Sequence, residues 1–489
     1  MNNTENHYVM AEPDASSMIE TFRSIGYSIE TAIADIVDNS ISAGARTVWI
    51  DFCWAGPGTV LSIMDDGKGM GSDEIIEAMR PGSINPLAAR SGYDLGRFGL
   101  GLKTASFSQC RKFCIRSRKN EDGTAFWSWD LDHVNKVKAW QLVRQCPESD
   151  FSVERFNGLE HGTEVLWWDI DRLVQGAGED DTRSKDHFNA VMVMVKAHLG
   201  MVFQRFLDDG LTIFMRDKKV ESWDPFMTGF QGTQVRPEQY LEDGQVRLKG
   251  FVLPHRSRLE PEAYEYGKGP KGNWSAHQGF YVYRNRRLLV AGDWLGLFKR
   301  EIHYDLCRIR IDLPNTLDHE WQIDIKKSVA RPPARLLDEI LAFAKDVRAQ
   351  AIEVYKHRGK VIRKKLAVHE FHPLWEEKVK LGKRFYRINR THPLVKDMLG
   401  SCGSAGKQIE GVLQMLEEMV PIPLMTLREN ENERPLGLPY ESTGNAVVKE
   451  AMLLMYQNML TDRISPDIAK ARIAGIEPFN LYPEYLEDL

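Results

Sequence analysis

Asp35-Ile-Val-Asp38-Asn39-Ser40-Ile-Ser-Ala43 decides the fold once it is read with two later stretches. These are Asp65-Asp-Gly67-Lys-Gly69-Met70 and Gly96-Arg97-Phe98-Gly99-Leu100-Gly101-Leu102-Lys103. Ile29, Ile33, Ile36 and Val37 recur at helical spacing, Ser28 suits an N-cap and Gly44 closes the pattern, so the first stretch lies on a helix. On that helix Asp35, Asp38, Asn39 and Ser42 share the face opposite Ile33 and Val37. An amide oxygen and a carboxylate one turn apart can hold Mg²⁺ and orient a water, because Mg²⁺ takes oxygen ligands and keeps several waters of its own. Taken alone, the stretch reads first as an ordinary amphipathic helix with a solvated acidic face.

Alternation in Val48–Phe52 and Val60–Met64, on either side of Ala55-Gly-Pro-Gly58, reads as a hairpin that leaves Asp65 at a strand end. Two glycines follow and let the backbone approach a planar ligand. A buried carboxylate there can accept the exocyclic amine of adenine; an ordinary Asp-Gly turn is the plain alternative. The third stretch leads glycine-rich backbone into a helix N-terminus, an arrangement that turns N–H groups toward phosphate oxygens. It is not a dinucleotide fingerprint, since no strand immediately precedes it and its glycine order is wrong. Nor is it a Walker A loop, since no glycine directly precedes Lys103.

Together with His161-Gly162-Thr163-Glu164-Val165, these stretches resemble the GHKL superfamily, the Bergerat ATP-binding fold of gyrase B, Hsp90, MutL, histidine kinases and MORC proteins. Gly26-Tyr27-Ser28 and the run Leu95–Ser106 are most similar to the MORC-type and bacterial MORC-related branch. The resemblance implies an α+β chain in three parts. A Bergerat-fold ATPase domain, helices layered on a mixed sheet, occupies 1–205; an S5-like α/β transducer domain follows at 206–332, and a mainly helical C-terminal region at 333–489. ATP and Mg²⁺ are the implied cofactors. Asn39 becomes the metal ligand, and Asp65 and Thr163 contact adenine. Asp38, Ala43, Gly67, Gly69, Met70 and the run Gly96, Arg97, Phe98, Gly99, Leu100, Gly101, Leu102, Lys103 line the nucleotide. Asp35 takes the general-base position, where the family usually has glutamate; one methylene less of reach makes slow hydrolysis the expectation. The interval between Met70 and Gly96, a capped short helix at Ser72–Met79 and then a Gly/Pro-containing loop to Asp94, corresponds to the lid. The transducer of such proteins sends a lysine to the γ-phosphate, and Trp321-Gln-Ile-Asp-Ile-Lys326-Lys327-Ser328 supplies Lys326 or Lys327. Read as a strand, it sets Lys326 opposite Ile323 and Ile325, which favours Lys326.

A chain of 489 residues holds two or three domains. Its 64 basic and 69 acidic residues create no global basic field. The six cysteines form no Cys-x-x-Cys pair and read as reduced thiols. With no secretion signal and no bilayer-length apolar run, a cytoplasmic protein is expected. Strand-like stretches at Leu211–Met215, Gln245–Leu253, Gly279–Tyr283, Arg287–Val290 and Cys307–Leu313 are assigned to the transducer. A basic window spans Lys356–Lys365, and aromatics interleave with cations in Arg384–Pro393. Packing of Phe385 and Ile388 into a small core is favoured there over stacking on bases.

The functional expectation is an ATP-gated homodimerising switch acting on DNA, working with a separate nuclease or helicase partner in a restriction-modification or antiphage setting. The alternatives are an Hsp90-like chaperone and a scaffold that nucleotide stabilises without being hydrolysed.

Overall fold

A computed structural model describes residues 13–83, 100–119, 123–147, 150–324, 327, 329–356, 372–380, 383–401, 403–420, 446–479, 485–486 and 489. Gly96, Arg97, Phe98, Gly99 and Lys326 lie outside the described residues, as do residues 84–95 of the lid interval, the basic window after Lys356 and the linkers near 430 and 440. The chain divides into two compact units, Met1–Gly359 and Lys360–Leu489.

The first unit opens with α1 (Ala15–Arg23), α2 (Ile29–Ser42), β1 (Thr47–Cys53), β2 (Val60–Asp65) and α3 (Ser72–Met79). It continues through α4 (Gly101–Gln109), β3 (Lys112–Arg118), β4 (Thr124–Asp130), α5 (Leu131–Val137), α6 (Asp150–Asn157) and β5 (Gly162–Trp168). After α7 (Asp171–Val174), α8 (Thr182–Val202) and α9 (Gln204–Leu207) come β6 (Thr212–Met215) and β7 (Lys218–Lys219). Seven strands form one sheet in the order β4-β3-β5-β2-β1-β6-β7. It is mixed, because β1 pairs antiparallel with β2 and parallel with β6. The strand Thr212–Met215, expected in the transducer, therefore belongs to this first sheet, which β6 extends beyond β1.

Cross-strand register puts Ile50, Ile63, Val165 and Ile115 in one row on one face, and Leu61, Trp167 and Phe113 in the next. These side chains join Ile33, Val37, Phe107 and Val195 of the helices in a single buried cluster. Burying such a face drives the assembly, at about 1.5–3 kcal/mol for each large apolar side chain. The face that holds the helices is therefore fixed, since a one-residue slip of any strand would turn its row outward.

The rest of the unit contains β8 (Gln234–Val235), β9 (Gln239–Leu241), β10 (Val246–Val252), α10 (Pro261–Lys268), β11 (Gly279–Arg284), β12 (Arg287–Asp293), β13 (Cys307–Leu313) and α11 (Leu337–Lys356). Its sheet runs β12-β11-β13-β10-β8, with β9 also on β10. Ile340, Ala344, Val347 and Ala351, spaced along one face of α11, pack with Leu248 and Ile309 of the strands. The β11–β12 hairpin turns through Asn285 and Arg286, both at positive φ (46° and 73°), as a two-residue hairpin loop requires. Trp321–Asp324, expected as a strand, is instead a turn: Trp321 N–H donates to Leu317 O and Ile323 N–H to Asp318 O. Local carbonyls satisfy these donors, and Trp321 is anchored fully buried.

In the second unit β14 (Trp375–Lys380) and β15 (Lys383–Ile388) form a hairpin, followed by α12 (Pro393–Ser401), α13 (Gly406–Met419), α14 (Ala446–Thr461) and α15 (Pro466–Ile473). Arg390 joins β15 to α13 through Glu410 and Glu417. Ile388 is buried as expected, but Phe385 is 40% exposed, which corrects its assignment to the core. The pleat explains the difference, because residues three apart on a strand point to opposite faces. Among the described residues no helix is long and apolar enough to cross a membrane.

Candidate nucleotide site

At one end of the helix-covered face of the first sheet the apolar rows give way to a polar one. Asp65 of β2 stands opposite Thr163 of β5, and Thr163 opposite Ser117 of β3. Ser117 Oγ lies 2.8 Å from Thr163 Oγ1 and accepts the Met70 N–H at 2.8 Å. Asp65 Oδ2 accepts from Ser40 Oγ of α2 at 2.8 Å, and its Oδ1 accepts from the Gly67 N–H at 2.9 Å. Burial raises the Asp65 carboxyl to about 6, against the lowering effect of these donors. The loop after β2 is held from below: Lys68 N–H donates to Ala43 O, and His161 Nδ1 is 2.7 Å from Gly67 O.

Glycine is required in this loop at two points. A Cβ at Gly67 would stand 2.8 Å from Asp65 Oδ1 and 2.9 Å from the Ala43 Cβ. Gly69 has φ +67°, and a Cβ on it would fall 1.8 Å from Arg118 O.

One helical turn away, α2 carries its acids into the interior. Asp35 and Asp38 are 2% and 1% exposed, whereas Asn39 is exposed. Asn39 Nδ2 donates to Asp35 O at 2.9 Å, so its amide oxygen is the atom left to meet a cation. Tyr27 donates its hydroxyl to Asp35 Oδ2 at 2.9 Å.

Two cations reach these acids from the second sheet and the turn after it. Lys327 Nζ is 2.6 Å from Asp38 Oδ2 and 3.2 Å from Asp35 Oδ1. Arg287, the first residue of β12, places Nε 3.2 Å from Asp38 Oδ2 and a terminal nitrogen 3.8 Å from Asp35 Oδ1. Arg287 also donates to Lys327 O at 3.4 Å. Two carboxylates thus meet two cations in a charge-balanced, buried cluster. Burial raises Asp35 above the usual carboxylate range despite Lys327. Burial acts on Asp38 in the same direction, but there Arg287 and Lys327 outweigh it and hold the carboxyl below that range.

The strand alternation pointed to Lys326; the ammonium that lies on the α2 carboxylates is that of Lys327, at φ +52° after a turn rather than in a strand. Gly101 sits at the start of α4 close enough that a Cβ would be 3.4 Å from Asp35 Oδ2. Leu100, Leu102 and Met70 pack partly buried against the apolar cluster. Lys103 is 2% exposed, and its ammonium donates to Ala78 O at the end of α3, with burial lowering it to about 8. The structure brings Asp35, Asp38, Asn39 and Gly101 together around α2, and Asp65, Gly67 and Thr163 around the strand end, with Ser40 linking the two groups.

Sequence reasoning left Ser40, Ser117, Tyr27 and Arg287 without roles. Ser40 and Tyr27 sit inside stretches already singled out, and Ser117 follows from the β3–β5 register. Arg287 opens a strand-like stretch, and no local pattern announces its long-range partner.

The donor set fits an adenine nucleotide: a buried carboxylate for the exocyclic amine, a glycine cradle that side chains would fill, and an exposed asparagine beside two acids. Residues 27–163 match the sequence family described as histidine kinase-, DNA gyrase B-, and HSP90-like ATPase. The chain is 32% identical over 120 residues to ATPase morc-1 of Caenorhabditis elegans, covering 24% of this chain and 14% of that protein. It is 26% identical over 113 residues to the DNA mismatch repair protein MutL of Dictyoglomus turgidum, covering 23% of this chain and 20% of the relative. MutL of Dictyoglomus thermophilum also aligns over 113 residues at 26% identity, covering 23% of this chain and 20% of the relative. Alignment therefore spans no more than a fifth of these relatives' own length. The matched segment ends at Thr163, the residue opposite Asp65 in the sheet, and so encloses the α2 acids, the glycine loop and the polar row. Residues 27–163 thus form a GHKL-type ATPase domain, similar to segments of MORC and MutL proteins.

Proposed function

We propose that the chain binds ATP with Mg²⁺ at this site, hydrolyses it slowly, and uses the exchange of Lys327 between carboxylate and phosphate as a switch. The observation that supports this is the Lys327 ammonium, which comes from beyond the second sheet yet rests 2.6 Å from Asp38 on α2. Asp65, Thr163 and Ser117 would take the base, and the Gly67–Gly69 backbone the sugar and phosphates. Asn39 would hold Mg²⁺, whose bound charge would offset that of the phosphates. An incoming γ-phosphate competes for Lys327, since an ammonium favours the more highly charged oxygens. Losing Lys327 leaves Asp35 buried with less compensation, raises its proton affinity and makes it a stronger base toward a water. Asp38 stays with Arg287. Environments that push two neighbouring carboxylates in opposite directions divide their roles: Asp35 becomes the base, Asp38 the anchor.

Because Lys327 belongs to the second sheet's part of the unit, its release and recapture change what holds the two sheets together, while Arg287 keeps Asp38. This supports a switch in which ATP licenses association of two chains. The relatives named for MORC ATPase and DNA mismatch repair suit DNA as the substrate, with a separate nuclease or helicase acting downstream in a restriction-modification or antiphage setting. Light-scattering mass with and without a non-hydrolysable ATP analogue, repeated with duplex DNA, tests it. A mass that doubles with the analogue and shifts again with DNA is expected; an unchanged mass at micromolar protein removes the dimer switch.

A further inference from the structure

A cavity of about 810 Å³ lies in the first unit beside the ion-pair cluster, walled by the start of α2, by α8, by β12 and by the segment following Lys327. Five cationic side chains line it: Lys271, Arg287, Arg300, Lys327 and Arg331. Four carboxylates face them among the described residues: Glu30 and Asp293 in the wall, the latter 3.5 Å from Arg300, and Asp35 and Asp38, which already hold Arg287 and Lys327, so one positive charge is in excess. His198 of α8 also lines the space, and burial together with Arg287 lowers its imidazole to about 4, so it enters as a neutral group at pH 7. The remaining wall is apolar, with Met201 and Val202 of α8 opposite Leu289 and Val290 of β12.

Helical periodicity separates this space from the nucleotide site. Around α2 the order is Ser40, Asn39, Asp35, then Thr31 and Asp38, then Glu30. Ser40 bonds Asp65 beside the glycine loop, whereas Thr31 and Glu30, near the other end of α2, line the cavity. The Asp35–Asp38–Lys327–Arg287 cluster is therefore the partition, and its two cations are the groups that also line the cavity.

We propose that this cavity is a second, effector site for a phosphorylated small molecule bearing an apolar or aromatic group. The phosphate would engage Arg300, Arg331 and Lys271 at the mouth and share Arg287 and Lys327 at the partition. The ring would lie on the methionine, leucine and valine wall. The size suits such a ligand, since small-molecule sites commonly measure about 300–1,000 Å³ and combine an apolar lining with a few convergent polar groups. A ligand that draws Lys327 toward the cavity opposes its transfer to the γ-phosphate, and by linkage ATP weakens that ligand equally. This coupling rests on the reading of Lys327 given above; occupancy of the cavity does not.

The test uses the full chain carrying Asn39→Ala, so that binding at the nucleotide site is disabled, with inorganic phosphate and phenyl phosphate as probes in titration calorimetry. The expected result is one site per chain, with phenyl phosphate about tenfold tighter than phosphate because its ring is buried. Arg331→Glu, an exposed substitution, should weaken both probes about tenfold, and adding Arg300→Glu should weaken them further. Absence of binding, or binding indifferent to both substitutions and to the phenyl ring, overturns the proposal. ATP bound normally by the Asn39→Ala chain would instead count against the nucleotide site, and is read in a separate titration.

Discussion

Lys327 Nζ lies 2.6 Å from Oδ2 of Asp38, a residue 289 positions earlier in the chain. Few contacts in the molecule join two more distant parts of its first unit, and this one is buried. Its energetic weight follows from what removal would leave behind. Lys327→Met strands two buried carboxylates with Arg287 alone, and the expected cost is about 3–5 kcal/mol. Combining it with Asp38→Asn should cost less than the two single losses added, because charge balance is restored. Urea midpoints of the four chains measure both quantities, and strict additivity would dissociate the pair.

Asn39→Ala should leave the fold intact, since the side chain is exposed and its amide bonds only to its own helix at Asp35 O. Mg-ATP binding should fall below detection. Equilibrium dialysis with labelled nucleotide checks it, and affinity unchanged from wild type would move the metal site elsewhere.

Asp35→Asn should bind Mg-ATP as well as wild type or better, having removed a negative charge near the phosphates. Turnover should fall about 100-fold or more, the ordinary range for loss of a general base. Phosphate release under saturating ATP measures it, and undiminished turnover would reassign the base.

Asp65 gives a pH signature. Its folded value of about 6 stands above the ordinary 3.8, with burial the main cause. A raised carboxyl stabilises the fold fully below about pH 4, and that contribution is lost as pH rises through 6. The loss is on the order of 3 kcal/mol when converted at about 1.4 kcal/mol per pH unit. Asp65→Asn should therefore gain stability relative to wild type between pH 4 and 7 while losing preference for adenine. Parallel stability–pH curves for the two chains would show that Asp65 is not held as described.

Much of this site was legible locally. The helix from Ile29 to Ser42, the hairpin into Asp65 and the strands at Lys112–Arg118 and Cys307–Leu313 follow from periodicity and turn residues, which act over a few positions. Tertiary pairing was not. Thr212–Met215 has a strand's composition wherever it sits, and only its parallel register with β1 assigns it to the first sheet. The Ile-Asp-Ile-Lys alternation suggested a strand, but burial of Trp321 and local carbonyl partners made a turn over Trp321–Asp324, and the Lys327 ammonium lies on the acids. Arg287 illustrates the same gap, since a guanidinium in a hairpin carries no sign of the carboxylate it will meet.

On the proposed mechanism Lys327 distinguishes a γ-phosphate from its absence at a nucleotide site built on α2 and β2. The decisive quantities are the equilibrium affinities of Mg-ATP and Mg-ADP for the wild-type chain and for Lys327→Ala. Wild type should favour ATP by about tenfold, the worth of one charge-assisted contact, and the variant should bind the two nucleotides alike. An ATP preference undiminished in Lys327→Ala, or a wild-type chain that binds neither nucleotide, would contradict the account.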